Sequence, residues 1–252
     1  DDIGHLRWLD PYLGGLMLHS ITRDIIDDLV VRRKQEGVSN ATVNRMLAVV
    51  RAILRRAALD WEWLDKVPRF KLLPEPKRRV RWLTHEEAAR LISELPEHLA
   101  EMVRFALATG LRQANVTELE WSQIDLERRF AWIHADQAKA RKPISVPLSE
   151  YVISVLKRQQ GRHPTRVFAY EGKPVRQVNT KAWRHALKRA GITDFRWHDL
   201  RHTWASWHVQ NGTPLNALQE LGAWESADMV RRYGHLGQNH LANYAENLCQ
   251  PD

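Results

Sequence analysis

The stretch "LGAWESADMVRRYGHL", Leu221–Leu236, sets an indole, Trp224, nine residues ahead of Tyr233, with Arg231 and Arg232 directly before the phenol. Its spacing predicts a short helix, capped by Ser226, that carries Tyr233 near its end. Upstream lie "TGLR" at Thr109–Arg112 and "HDLRH" at His198–His202. Together the three stretches offer Arg112 and Arg201, His198, an indole and a phenol, and no metal-binding cluster accompanies them. A free phenol titrates near about pH 10. It becomes a useful nucleophile only where cations stabilise the phenolate and the charge developing on phosphate. The set therefore suits attack on a phosphodiester by a protein hydroxyl.

Composition points the same way. The chain of 252 residues can hold one large domain or two modest ones. Its net charge of +8 favours a polyanionic partner, although a generic basic protein would carry the same excess. The charge is uneven: residues 1–75 hold 12 Lys/Arg against 11 Asp/Glu, whereas residues 76–252 hold 26 against 19. No apolar run reaches the length of a membrane span, and "DDIGHLRWLD" does not resemble a secretory signal, so no membrane partner is expected. Cys249 is the single cysteine, which rules out an internal disulfide framework and fits a reducing cytosol. The first residue is not Met, and the chain reads as an excised fragment.

A border is expected at "PEPKRRVR", Pro74–Arg81, where two prolines deny a regular helix and Lys77, Arg78, Arg79 and Arg81 concentrate charge. A capping-box pattern follows at Thr84–Glu87 and opens a helix carrying Ala88, Leu91 and Ile92. Before the border the pattern is helical. Val43, Leu47, Val50, Leu54 and Ala57 share one stripe, Arg45, Arg55 and Arg56 project opposite, and Arg51 lies at the flank. That basic face is either solvated or set against phosphates. After the border, a helix over Glu97–Thr109 is stopped by Gly110, and strands are expected at 130–134, 144–147 and 167–169. Helices resume over 179–190 and 198–211, and Thr213-Pro214 predicts a cap followed by a first-turn proline. The expected fold is mainly α with a small antiparallel β-sheet: a helical domain over 1–76, a basic linker over 77–81, and an α+β domain over 82–252 with a tail helix over 240–248.

Arg112 stands just past a helix end, and Arg201 is three residues after His198, on the same side of one turn. Two guanidiniums can clamp a phosphate bidentately and stay charged at any workable pH. His198 and His202, at i and i+4, do not make a zinc site: the residue after His198 is Asp199, not Glu, and no clear third ligand follows. His202 either supports the site from behind or is a core histidine. Trp224 either packs in the core or donates its indole N–H to a phosphate oxygen. Tyr12, Tyr151, Tyr170 and Tyr244 are the rivals of Tyr233, and Tyr244 is the serious one.

Four boxes in order give the resemblance. "ATGLR", "QAKARKPISVPL", "HDLRHTWAS" and "LGAWESADMVRRYGHL" resemble the conserved boxes of the tyrosine recombinases, the phage-integrase group that shares its chemistry with type IB topoisomerases. The likeness runs from about Trp82 to Leu241, and residues 1–75 resemble the family's small helical core-binding domain. It implies Arg112, Lys139, His198, Arg201, Trp224 and Tyr233 as the catalytic set, with His202 and Asp199 supporting. Lys142 stands as the alternative to Lys139. Two departures are visible: Asn115 occupies a place where many members have an acid, and the hairpin box has few glycines.

The resemblance further implies a clamp around duplex DNA, with Arg45, Arg51, Arg55, Arg56, Lys77, Arg78, Arg79 and Arg81 on the DNA. Tyr233 would form a 3′-phosphotyrosyl bond and release a 5′-hydroxyl, with Lys139 as general acid, His198 assisting the deprotonation of Tyr233 or binding phosphate, and no cofactor, metal or ATP. The protein would be a monomer when free and a tetramer on attachment or core DNA, joined by accessory DNA-bending or directionality factors. It would be cytoplasmic and nucleoid-associated in a bacterium, phage-encoded or carried by another mobile element, with an arm-binding domain ahead of Asp1. A relaxing topoisomerase and a catalytically dead architectural protein are the competing functions. The tail stripe Leu241, Tyr244, Ala245 and Leu248 would dock on a neighbouring protomer or on its own domain.

Overall fold

The computed structural model describes residues 2–76, 80–138 and 141–237. The chain divides into two compact units, Asp1–Arg78 and Arg79–Asp252. Lys77, Arg78, Arg79, Lys139 and the expected tail helix over 240–248 lie outside the described residues.

The first unit is built from α1 (Asp2–Leu13), α2 (Arg23–Gln35) and α3 (Asn40–Leu59). Ser39 caps α3 by accepting from the Thr42 N–H. The expected stripe of α3 is buried together with Met46, and Val43, Leu47, Val50 and Leu54 of it meet Leu9, Ile21, Ile26, Leu29 and Phe70 in one core. After α3 the chain runs back without regular structure. Buried Asn44 pins it, exchanging hydrogen bonds with the backbone of Leu73 at 2.8 and 2.9 Å. Arg51 belongs to the same support: it donates to the Phe70 carbonyl at 2.9 Å and lies 4.8 Å over the Phe70 ring.

The second unit opens with α4 (His85–Glu94), whose Thr84–Glu87 capping box forms in both directions. Next come α5 (Glu97–Thr109) and α6 (Gln113–Thr117). Then β1 (Ile124–Asp125), β2 (Phe130–Ile133) and β3 (Ile144–Pro147) form an antiparallel sheet in sequence order. The register pairs Ile124 with Ala131 and Ile133 with Ile144. Strand alternation buries Ala131, Ile133, Ile144 and Val146 on one face. The chain continues through α7 (Glu150–Gln159), β4 (Ala169–Tyr170), β5 (Lys173–Pro174) and α8 (Lys181–Arg189) to α9 (Asp199–Gln210), α10 (Leu215–Leu221) and α11 (Asp228–Arg231).

The centre is α5, which buries nine of its residues and packs on α7 and α9. Its one buried carboxylate, Glu101, is held by Arg104 at 2.8 Å and Arg158 at 2.9 Å, so no charge is left unpaired there.

Four local expectations differ from what forms. The third expected strand shifts to Ala169–Tyr170, because Glu171 and Gly172 both take positive φ and turn the chain into β5. Pro214 is the cap residue of α10 and not its first-turn proline. Ser226 does not cap α11; Ala227 occupies that place, with no side-chain cap. Tyr233 lies past the end of α11, its N–H bonded to the Val230 carbonyl. Gly110 behaves as expected, closing α5 at φ 64°.

Candidate active site

The C-terminal end of α5 and the face of α9 meet through tryptophan rings laid against glycine backbone. A Cβ on Gly110 would run into the Trp204 ring, and one on Gly222 would run into the Trp224 ring. The absence of those two methyl groups lets the indoles close in and leaves both glycine carbonyls facing Arg201. Gly110→Ala adds a clash with a buried ring to a strained positive φ. It is expected to destabilise the second unit by about 2–4 kcal/mol, read as an earlier unfolding midpoint in urea.

Arg201 is only 5% exposed. Its guanidinium donates to the Gly110 carbonyl at 2.6 Å and to the Gly222 carbonyl. It lies 4.2 Å over the Trp224 ring, which packs at a tilt beside Trp204 with ring centroids 5.9 Å apart. Both carbonyl partners are neutral, and among the described residues no carboxylate pairs with Arg201 or Arg112. Burial, then the nearby Arg112 charge, pulls the Arg201 pKa down to about 9, which still leaves it a cation at neutral pH. Arg112 precedes α6 as its cap residue and is half-buried; burial lowers its pKa while Glu225 works against the shift. Two neighbouring cations, neither in a salt bridge among the described residues, form a place where an anion is favourable.

Tyr233 completes the cluster and is 1% exposed. Its ring stands 6.0 Å from Trp224 and 5.8 Å from His202, and its hydroxyl is hydrogen-bonded to His202 Nδ1. Burial pushes the phenol up to about 12; Arg232 and Arg201 pull it down and Asp199 pushes it further up. His198 is exposed at the start of α9, its ring edge-on to His202 at 5.2 Å. Asp199 ties off that turn by accepting from the Arg196 N–H at 2.7 Å. Asn115, also buried, donates to the Gln137 carbonyl at 3.0 Å and so connects α6 to the loop after β2. Lys142 is exposed.

The fold thus brings Arg112, Arg201, Trp224, Tyr233 and His202 together, with His198 beside them. Trp204 and Gly222 were missed in the sequence. Trp204 had a signal, three residues after Arg201 on the same helical face; Gly222 had none. Of the expected DNA-contacting residues, Arg45, Arg55 and Arg56 are exposed, with Arg56 paired to Asp60 at 3.3 Å. Arg81 pairs with Glu87 at 2.9 Å. A cleft in the first unit adds Arg23, Arg69 and Lys71 to Arg51 and Arg55.

The fold is that of the tyrosine recombinases. It is similar to the Tn1549 transposon integrase in complex with transposon right end DNA, at a TM-score of 0.78 and 18% identity, covering 97% of this chain and 92% of that one. It is also similar to a lambda integrase tetramer bound to a Holliday junction, at a TM-score of 0.74 and 18% identity, covering 92% and 69%. Residues 81–240 match the profile of the phage integrase family. With the integrase of Salmonella phage P22 the chain is 48% identical over 229 residues, 85% of this chain and 59% of that protein. With the integrase of Escherichia phage 186 it is 30% identical over 214 residues, 81% and 59%. The chain belongs to the phage integrase family, and it spans 59% of the length of these two relatives. No helix among the described residues is long and apolar enough to cross a membrane.

Proposed function

We propose that the chain carries the DNA-binding and strand-transfer parts of a site-specific recombinase that integrates and excises a prophage or other mobile element. One observation carries the proposal: Arg112 and Arg201 are neighbouring cations that form no salt bridge with a carboxylate among the described residues, beside the buried Tyr233. A scissile phosphate would supply the missing charge.

In this reaction Tyr233 Oη attacks phosphorus, the bond to the 5′-oxygen breaks, and a 3′-phosphotyrosyl link stores the bond energy. Arg112 and Arg201 hold the non-bridging oxygens as fixed donors. The Trp224 indole N–H, which bonds to no described residue, adds a third donor while its ring supports Arg201. Lys139 protonates the leaving 5′-oxygen, and a 5′-hydroxyl from a partner duplex reverses the attack. Asp199 secures the first turn of α9, and His198 meets the phosphate from its exposed side. Residues 1–76 form a core-binding domain whose Arg45, Arg55 and Arg56 contact phosphates, together with the 77–81 segment. The partner is double-stranded DNA and the working assembly is a tetramer on it, a reading supported by the Tn1549 integrase in complex with transposon right end DNA and the lambda integrase tetramer bound to a Holliday junction.

The test uses nicked suicide duplexes, chosen from a randomised-core library by wild-type trapping, in EDTA without ATP. A covalent protein–DNA adduct carrying a 3′-phosphotyrosine and a free 5′-hydroxyl is expected. DNA binding without any adduct would overturn the enzymatic assignment in favour of an architectural role. Adduct without DNA-dependent tetramers would favour a relaxing topoisomerase.

A further inference from the structure

His198 is the histidine that the family boxes single out, yet His202 is the one hydrogen-bonded to Tyr233. From that contact we infer that His202 is the proton acceptor for Tyr233, an inference that rests on Tyr233 being the nucleophile. The position is well fixed. Thr203 Oγ1 donates to the Asp199 carbonyl at 2.8 Å and accepts from the Leu83 N–H at 3.1 Å, while Trp207 Nε1 donates to the Leu83 carbonyl at 3.0 Å. The bonds from Thr203 and Trp207 tie α9 to Leu83 in the turns that directly follow His202. From α9, its half-buried ring reaches the phenol oxygen, whereas His198 is one turn earlier and exposed.

A phenol enclosed by protein, with its ionisation disfavoured by burial, needs a local base to reach its anion. When Tyr233 donates, Nδ1 is bare and the imidazole proton sits on Nε2. As attack proceeds, the Oη–H bond breaks and its proton passes to Nδ1. The freed electron pair makes the bond to phosphorus, and the electrons of the broken P–O5′ bond leave with the 5′-oxygen, which takes a proton from the general acid. On rejoining, the incoming 5′-hydroxyl gives its proton back to the deprotonated general acid as its oxygen bonds to phosphorus, and the displaced phenolate recovers its own proton from the His202 imidazolium. Arg201, beside His202 in sequence, holds phosphate; the two neighbours thus divide charge stabilisation from proton transfer.

The experiment measures single-turnover adduct formation on the trapped suicide duplex. His202→Asn keeps an acceptor oxygen near the Nδ1 position but cannot take a proton; His202→Ala removes both functions. Each is expected to slow adduct formation about 100-fold or more, with duplex binding and unfolding midpoint close to wild type. A more acidic fluorotyrosine placed at position 233 should restore at least about tenfold to His202→Asn and give wild type no gain, because a weaker base then suffices. A purely structural role for His202 would not respond to the acidity of the phenol. The inference is overturned if His202→Asn cleaves within about threefold of wild type, or if fluorotyrosine restores nothing. Tyr233→Phe separates the two levels: adduct from that variant sinks the nucleophile and this inference with it, whereas its loss beside a normal His202→Asn sinks only the proton acceptor.

Discussion

Tyr233→Phe is expected to abolish covalent adducts on suicide duplexes while duplex binding stays within about threefold of wild type. The substitution removes one oxygen and leaves the ring against Trp224 and His202. What disappears is a single buried hydrogen bond, that to His202, at a cost to stability of about 1 kcal/mol. The fold should therefore survive, and the lost activity can be assigned to the oxygen. Among the rivals, Tyr12, Tyr151 and Tyr170 are exposed and outside the cluster, and Tyr244 lies outside the described residues. Tyr244→Phe is the paired control. An adduct formed by Tyr233→Phe and lost in Tyr244→Phe would move the nucleophile to the tail.

Arg201→Ala is expected to lower the single-turnover cleavage rate by about 10²–10³-fold, the loss seen when one fixed oxyanion donor is removed. Its effect on stability should be felt as well. The guanidinium satisfies the Gly110 and Gly222 carbonyls and covers Trp224, so truncation leaves two buried acceptors bare, at about 1–3 kcal/mol each. Part of any rate loss in that variant would therefore report a displaced Trp224. Arg112→Ala resolves the ambiguity. The Arg112 side chain makes no hydrogen bond among the described residues and is half-buried, so its removal should leave the unfolding midpoint near wild type while cleavage falls by a similar factor of about 10². Arg201→Lys should keep the charge but lose the fork that holds both carbonyls, and is expected to fall near Arg201→Ala. Either alanine variant cleaving within about threefold of wild type would remove that arginine from the proposed clamp.

Much of the architecture was legible along the chain because its causes are local. The stripe of α3, the capping box of α4 and the stop at Gly110 all depend on residues within a few positions of one another, and all three formed as expected. Periodicity had less to say where elements are short. Strands of two residues, such as β1 and β5, give alternation nothing to register, and the four-residue α11 ends before Tyr233.

The boxes around Arg112, His198, Arg201 and Tyr233 were readable as residue types in order, and with them the family. Their mutual geometry was not, because it depends on contacts across 21 to 91 residues of chain, such as Arg201 to Gly222 and Gly110. No local pattern announces that two glycines are required by two indole rings, or that the exposed Arg231 and Arg232 stand outside the buried set. Sequence alone determined the longer helices and β2 and β3, and which chemical groups are available. Only tertiary packing decided that Trp224 lies under Arg201, that Tyr233 is enclosed, and that its hydroxyl meets His202 and not His198. The physical reason is that helices and caps are stabilised by near neighbours, whereas an anion site and a shielded phenol exist only once distant elements exclude water together.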